Sequence, residues 1–207
     1  MPRRRLSLAS LATLALLAAC VRPAPAPQAG QDAPPAAAEP VAAEQAGVSL
    51  DDLTSAWRDQ AGDSLAFGDL RAPVRVLALV YTSCEATCPL IVADLKRVEA
   101  SVPPARRADV RFVLVSLDPA RDTPGRLAEW AASTRLDPAR WSLLAGDADA
   151  VRELAATLGV RYQRQADGEM AHTNAITVLD AGGAIAHQQL GIDDADGTVA
   201  AVARLLR

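Results

Sequence analysis

Two patterns of apolar and polar positions alternate along this chain. Val76-Leu77-Ala78-Leu79-Val80 and Val110 to Leu117 are short, nearly continuous apolar runs, which predict strands covered on both faces, as in a parallel sheet. Leu53 to Gly68 alternates instead and is broken at Ala61-Gly62-Asp63, the pattern of an amino-terminal β-hairpin. Helical spacing runs from Leu90 to about Ser101. A second helix opens at Asp122-Thr123-Pro124, with a capping side chain and a first-turn proline, and runs to about Ser133. A third spans Asp147 to Leu158, between an aspartate cap and Gly159. Trp141 to Leu144 predicts a short strand and Arg164 to Thr173 a polar loop. Ala175 to Leu179 and Ala184 to Gln189 form a hairpin around Ala181-Gly182-Gly183, and Gly197 to Leu206 is a final helix. Helical crossovers first and an antiparallel hairpin last give an α/β domain with a mixed central sheet flanked by helices, the order of a thioredoxin-like fold.

The amino terminus obeys neither pattern. Arg3-Arg4-Arg5 followed by the apolar stretch Leu11 to Ala19 has the charged and hydrophobic regions of a secretory signal peptide. It ends in Leu17-Ala18-Ala19-Cys20, which resembles the bacterial lipobox, so residues 1–20 are expected to be a lipoprotein signal and Cys20 the lipidated residue. The apolar stretch is short for a bilayer span. Residues 21–47 are rich in proline and alanine and lack apolar periodicity, the composition of a flexible tether. At about 3 Å per residue it would reach up to about 80 Å. The folded domain is then 48–207, in a protein expected at the cell envelope, lipid-anchored and facing the periplasm.

With 207 residues, half of them apolar, the chain suffices for one core. A net charge of −4, with Lys96 the only lysine and no basic cluster inside the domain, argues against a nucleic-acid partner. Three cysteines would leave an odd thiol in an oxidising compartment, but lipidation of Cys20 leaves the pair Cys84 and Cys88.

That pair is the candidate chemistry. Tyr81-Thr82-Ser83-Cys84-Glu85-Ala86-Thr87-Cys88-Pro89 sits where a strand hands over to a helix, and there unpaired N–H groups and the helix dipole favour thiolates. Residues i and i+4 share a helix face, so both sulfurs can address one soft metal ion; they can also close a disulfide, structural or redox-active. His172 stands just before a predicted strand. No proline follows Pro138, so His172-Thr173-Asn174 occupies the region where dithiol oxidoreductases of this fold carry a cis-proline.

Three segments taken together resemble the Sco/SenC copper chaperones. These are Tyr81-Thr82-Ser83-Cys84 through Cys88-Pro89, Val115-Ser116-Leu117-Asp118-Pro119-Ala120-Arg121-Asp122-Thr123-Pro124, and the lone His172. The resemblance covers about 53–207. It implies that Cys84, Cys88 and His172 are copper ligands, for Cu(I) or Cu(II). It also implies that the protein delivers copper to the copper-binding subunit of cytochrome oxidase, chiefly its copper A centre, or exchanges it with another copper chaperone. Two thiolates and an imidazole suit Cu(I), with an added oxygen for Cu(II); zinc accepts the same ligands. The chain departs from the family at Glu85-Ala86-Thr87, where many members have a proline and an aspartate, and at Met170-Ala171, before the histidine.

Asp118 is expected beside the site, orienting His172 or a backbone turn. Asp122 is expected to cap its helix, His187 to lie on the surface, and Met170 to pack rather than bind metal. The competing function is a thiol:disulfide oxidoreductase that reduces the cysteines of an apo copper protein, for which His172 is not required. A peroxide-reducing enzyme is disfavoured, because no Pro-x-x-x-Thr-x-x-Cys pattern precedes Cys84. A copper or redox sensor would use the same ligands.

Overall fold

A computed structural model describes residues 48–192 and 194–207. The expected signal peptide, Cys20 and the 21–47 tether lie outside them. The alternating segment forms the predicted hairpin, β1 (Ala56–Asp59) and β2 (Ser64–Ala66). The two apolar runs form β3 (Val74–Val80), buried at every position, and β4 (Val110–Ser116). Between them lies α1 (Cys88–Ser101), and α2 (Pro124–Ser133) leads from β4 to β5 (Trp141–Gly146). Next come α3 (Ala148–Thr157), β6 (Tyr162–Arg164), β7 (Met170–His172), β8 (Ala175–Leu179), β9 (Ile185–Leu190) and α4 (Asp196–Leu205).

Seven strands form one mixed sheet in the order β2-β1-β5-β4-β3-β8-β9, while β6 and β7 form a separate two-stranded ribbon. β3, β4 and β5 are parallel neighbours, and β8 pairs antiparallel to β3. The arrangement is thioredoxin-like, as expected. The helix starts follow the sequence: Thr123 Oγ1 accepts from the Arg126 N–H ahead of Pro124, and the Asp147 carboxylate accepts from the N–H groups of Asp149 and Ala150. Gly159 closes α3 at φ 66°, a backbone conformation that side chains disfavour. In the core the Phe112 and Trp141 rings stack at 4.6 Å, and the Trp141 indole N–H donates to Glu99 at 3.0 Å. Gly146 gives the Trp57 ring its place, since a Cβ there would stand 2.7 Å from it.

One segment differs from expectation. The polar stretch 164–173 is not a simple loop: β6 and β7 pair antiparallel, with Tyr162 opposite His172. A turn with Gly168 at φ 90° closes the ribbon, where the Gln165 N–H donates to the Glu169 carbonyl at 2.7 Å. Strands of three residues with little apolar alternation escape any reading by periodicity.

The two ends of the central strand have different fates. At the starting end, the fully buried Arg75 makes a two-pronged ion pair with Asp51, at 2.5 and 3.0 Å, and its guanidinium lies over the Phe67 ring. Ser49 pairs with Ala184 there, and a side chain at Gly183 would strike Ser49 and Asp51. At the finishing end, β3 and β4 release their chains beside the start of β8 and the amino end of α1. Removing one partner of a buried pair strands the other charge. Asp51→Ala is therefore expected to cost about 3–5 kcal/mol in denaturant unfolding, and replacing both Arg75 and Asp51 by apolar residues of similar volume should recover much of that loss.

Candidate metal centre

The loop that leaves β3 folds back on itself, with the Cys84 N–H bonded to the Tyr81 carbonyl at 3.2 Å. Cys84 and Cys88 are both buried and both free thiols. No side chain of the usual kind caps α1: Thr87 stands at the cap position without a side-chain bond to the helix. Instead the Cys88 N–H points at Cys84 Sγ, at 3.4 Å, and the Thr87 hydroxyl lies 3.6 Å from the same sulfur. The Cys84 sulfur thus takes the place of a capping oxygen, receiving a helix N–H that would otherwise lack a partner.

This geometry makes the two thiols unequal. Burial pushes the Cys84 thiol up, but the Cys88 side chain and N–H and the Thr87 hydroxyl outweigh it and bring Cys84 down to about 7. Burial, and then the neighbouring Cys84 sulfur, push Cys88 up. The outcome is one thiol that ionises near neutral pH beside one that stays protonated.

Asp122 holds this loop. Its buried carboxylate accepts from the Thr82 N–H at 3.0 Å, the Thr82 hydroxyl at 2.5 Å and the Ser116 hydroxyl at 2.5 Å, joining the cysteine loop to the end of β4. The helix is capped by Thr123, not by Asp122 as expected. Asp122 was legible as a polar residue near a helix start, but not as one pointing backward across the sheet.

His172 ends the ribbon, with Thr173 and Asn174 between it and the start of β8. Its Nδ1 lies 3.2 Å from the Thr173 carbonyl, which can only accept, so Nδ1 carries the proton and Nε2 keeps its lone pair. Nε2 is buried and has no hydrogen-bond partner. Burial lowers the histidine's pKa against the weaker opposing effect of Thr173, which favours the neutral, metal-ligating form. A buried imidazole nitrogen with a free lone pair, and two free thiols at the adjoining strand end, fit a soft metal ion. Among the described residues no three His, Cys, Asp or Glu side chains already form a metal-holding group. The two sulfurs are together, while the His172 ring meets Tyr81 edge-on, with centroids 6.2 Å apart.

Asp118 does not touch His172. Fully buried, it pairs with Arg121 and with Arg164, the latter at 2.5 Å; Arg121 and Arg164 also donate to the Gly168 carbonyl, at 2.8 and 3.1 Å. These arginines hold its carboxyl below the usual range despite its burial. Asp118 therefore fastens the ribbon rather than the histidine. Met170 is buried in the core, as expected. His187 is not simply on the surface: it is partly covered, its Nε2 is inaccessible, and a Cβ on Gly197 would lie 3.3 Å from its ring. Glu85 is exposed.

A family model described as SCO1/SenC matches residues 55–207. The chain belongs to the SCO1/SenC family. Among curated proteins it is similar to the SCO1 protein homolog of Bacillus subtilis (strain 168), with 29% identity over 90 residues, 44% of this chain and 46% of that protein. The match thus spans less than half of that relative. Among solved structures it is similar to the copper-bound ScoI of Arabidopsis thaliana, with TM-score 0.64 and 19% identity over 72% of this chain and 96% of that one. It is also similar to BsSco, described as a member of the Sco family of cytochrome c oxidase assembly proteins with a disulfide switch. There the TM-score is 0.62 and the identity 22%, over 73% of this chain and 90% of that one. At these identities the structural likeness carries the fold.

The unequal thiols lead to a measurable order of reactivity. Cys84 is depressed to about 7, so its thiolate is protonated away below that pH and complete above it. In the reduced protein, alkylation of Cys84 by iodoacetamide should rise about tenfold between pH 6 and pH 8, while Cys88 stays unmodified. Mass-spectrometric mapping of the labelled cysteine checks this, and equal labelling of both would contradict it.

Proposed function

We propose that this SCO1/SenC protein carries one copper ion as cargo on Cys84, Cys88 and His172. It would deliver that ion to the copper A centre of cytochrome c oxidase, directly or by exchange with another copper chaperone. The observation that carries the reading is the unsatisfied Nε2 of His172, buried beside a cysteine loop whose two thiols are free. His187 Nε2 is buried without a partner as well, so what singles out His172 is its place against Tyr81, at the root of the cysteine loop. The donor set is soft and short of four ligands, which suits capture of Cu(I) and its release by ligand exchange. The copper-bound plant relative and the oxidase-assembly relative point the same way.

In this reading Cys84 provides the first sulfur, since it needs little help to ionise near neutrality. Cys88 follows as the arriving ion displaces its proton, and His172 closes the set without losing one. Lipidation at Cys20 would place the domain at the cell envelope, facing the periplasm on its Pro/Ala-rich tether. Among the described residues no helix is long and apolar enough to cross a membrane.

A second reading has its own support. A thiol poised near ambient pH beside a protonated partner is also the arrangement that favours thiol–disulfide exchange, and BsSco is described as having a disulfide switch. His172 separates the two readings.

An anaerobic Cu(I) competition titration on the reduced protein should give one tightly held ion. Cys84→Ser, Cys88→Ser and His172→Ala should each weaken binding by about a hundredfold or more, while His187→Ala leaves it unchanged. If His172→Ala binds like the parent yet still exchanges disulfides with a test protein, the chaperone site is wrong and the reductase reading takes its place.

A further inference from the structure

The two halves of the candidate site belong to different pieces of structure, the cysteine loop after β3 and the β6–β7 ribbon. Tyr81 touches both. It lies three residues before Cys84, is almost wholly buried, and presents its ring edge-on to His172. Its hydroxyl donates to the Glu169 carboxylate at 2.7 Å, and the same oxygen accepts from the Met170 N–H at 3.4 Å. Glu169 and Met170 are the residues that lead β7 toward His172, and Glu169 itself is exposed. The phenol is therefore a buried hook over which the ribbon is hung.

We propose that Tyr81 is a positioning residue for copper binding: through its hydroxyl bonds to Glu169 and Met170 it holds the His172 ribbon against the cysteine loop. The inference rests on His172 being a ligand. It assigns a role to a hydroxyl that a phenylalanine of the same shape would lack. The ribbon has little else of its own: two three-residue strands outside the main sheet, fastened otherwise by Asp118 through Arg164 and through Arg121, which reaches the Gly168 carbonyl. A ribbon so small is marginal by itself and depends on such ties. The ring provides the packing, and the oxygen provides the register of histidine against sulfur.

The test uses the full chain with three variants, Tyr81→Phe, Glu169→Ala and their combination, each also made with His172→Ala. In the copper-free reduced protein, amide hydrogen exchange at residues 162–172 should rise about tenfold in Tyr81→Phe, with β3 and β4 unchanged. Glu169→Ala should raise it in the same segment, and the combination should go no further than Tyr81→Phe, because both remove one interaction. Cu(I) affinity should fall by a similar factor in Tyr81→Phe, and that fall should vanish when His172 is already alanine. Unchanged ribbon exchange in Tyr81→Phe overturns the proposal. So does an affinity loss that persists undiminished in the His172→Ala background, which would mean that the hydroxyl acts on Cys84 alone. If His172→Ala alone binds Cu(I) like the parent, the ligand reading fails and the positioning role fails with it; normal exchange beside a weakened His172→Ala removes Tyr81 only.

Discussion

Antiparallel pairing of β8 with β3 is the constraint on which the candidate site depends. β3 ends where the cysteine loop begins, and because β8 runs the opposite way, its start lies at that same end, with Ile176 opposite Ala78. Residues more than eighty positions apart in the chain are brought to one end of the sheet by this strand pairing. A parallel β8 would have delivered His172 to the far end of the sheet. The energy that fixes this register comes from burial, since every residue of both strands is in the core.

Once the two segments meet, identical side chains acquire different chemistry from their position at a helix start. Cys84 lies just before the helix and receives its unused donors; Cys88 lies within the first turn, wholly enclosed. The helix needs a cap and the sulfur needs stabilisation as an anion, and one contact serves both needs. Thr87, at the cap position, makes no side-chain bond to the helix, and its hydroxyl lies beside the Cys84 sulfur instead.

Much of this was legible in the sequence because it rests on local signals. The apolar runs that became β3 and β4, the capped starts at Thr123 and Asp147, and the Gly-Gly hairpin all announce themselves within a few residues. The spacing of Cys84 and Cys88 offered a metal pair or a disulfide, and only the resemblance of three segments to the Sco/SenC proteins joined His172 to them as a candidate ligand. What escaped were side chains whose partners are distant. Asp122 sits at a helix start and looks like a cap, yet its carboxylate reaches back to Thr82. Asp118, expected to orient His172 or a backbone turn, gathers Arg121 and Arg164, which both donate to the Gly168 carbonyl in the ribbon's turn. Tyr81 drew notice only as part of a motif, because its bond to Glu169 joins residues that no periodicity relates. The ribbon was read as a loop for the same reason, since its order comes from ties to the body of the fold.

The Asp51–Arg75 pair gives the domain a polarity. The chain approaches from Ser49 and is fastened at the starting end of β3, while the thiols lie beyond its finishing end. Five residues of strand, Val76 to Val80, carry the chain from Arg75 to the end of β3, a distance of roughly 17 Å. Whatever restrains the chain ahead of Ser49 pulls on the pole opposite the chemistry, so a strain at the attachment is borne by the ion pair and the central strand before it reaches the sulfurs. A pull applied at Ser49 therefore loads the end of β3 that carries no thiol, and the point where the chain enters the described domain leaves the thiol end clear.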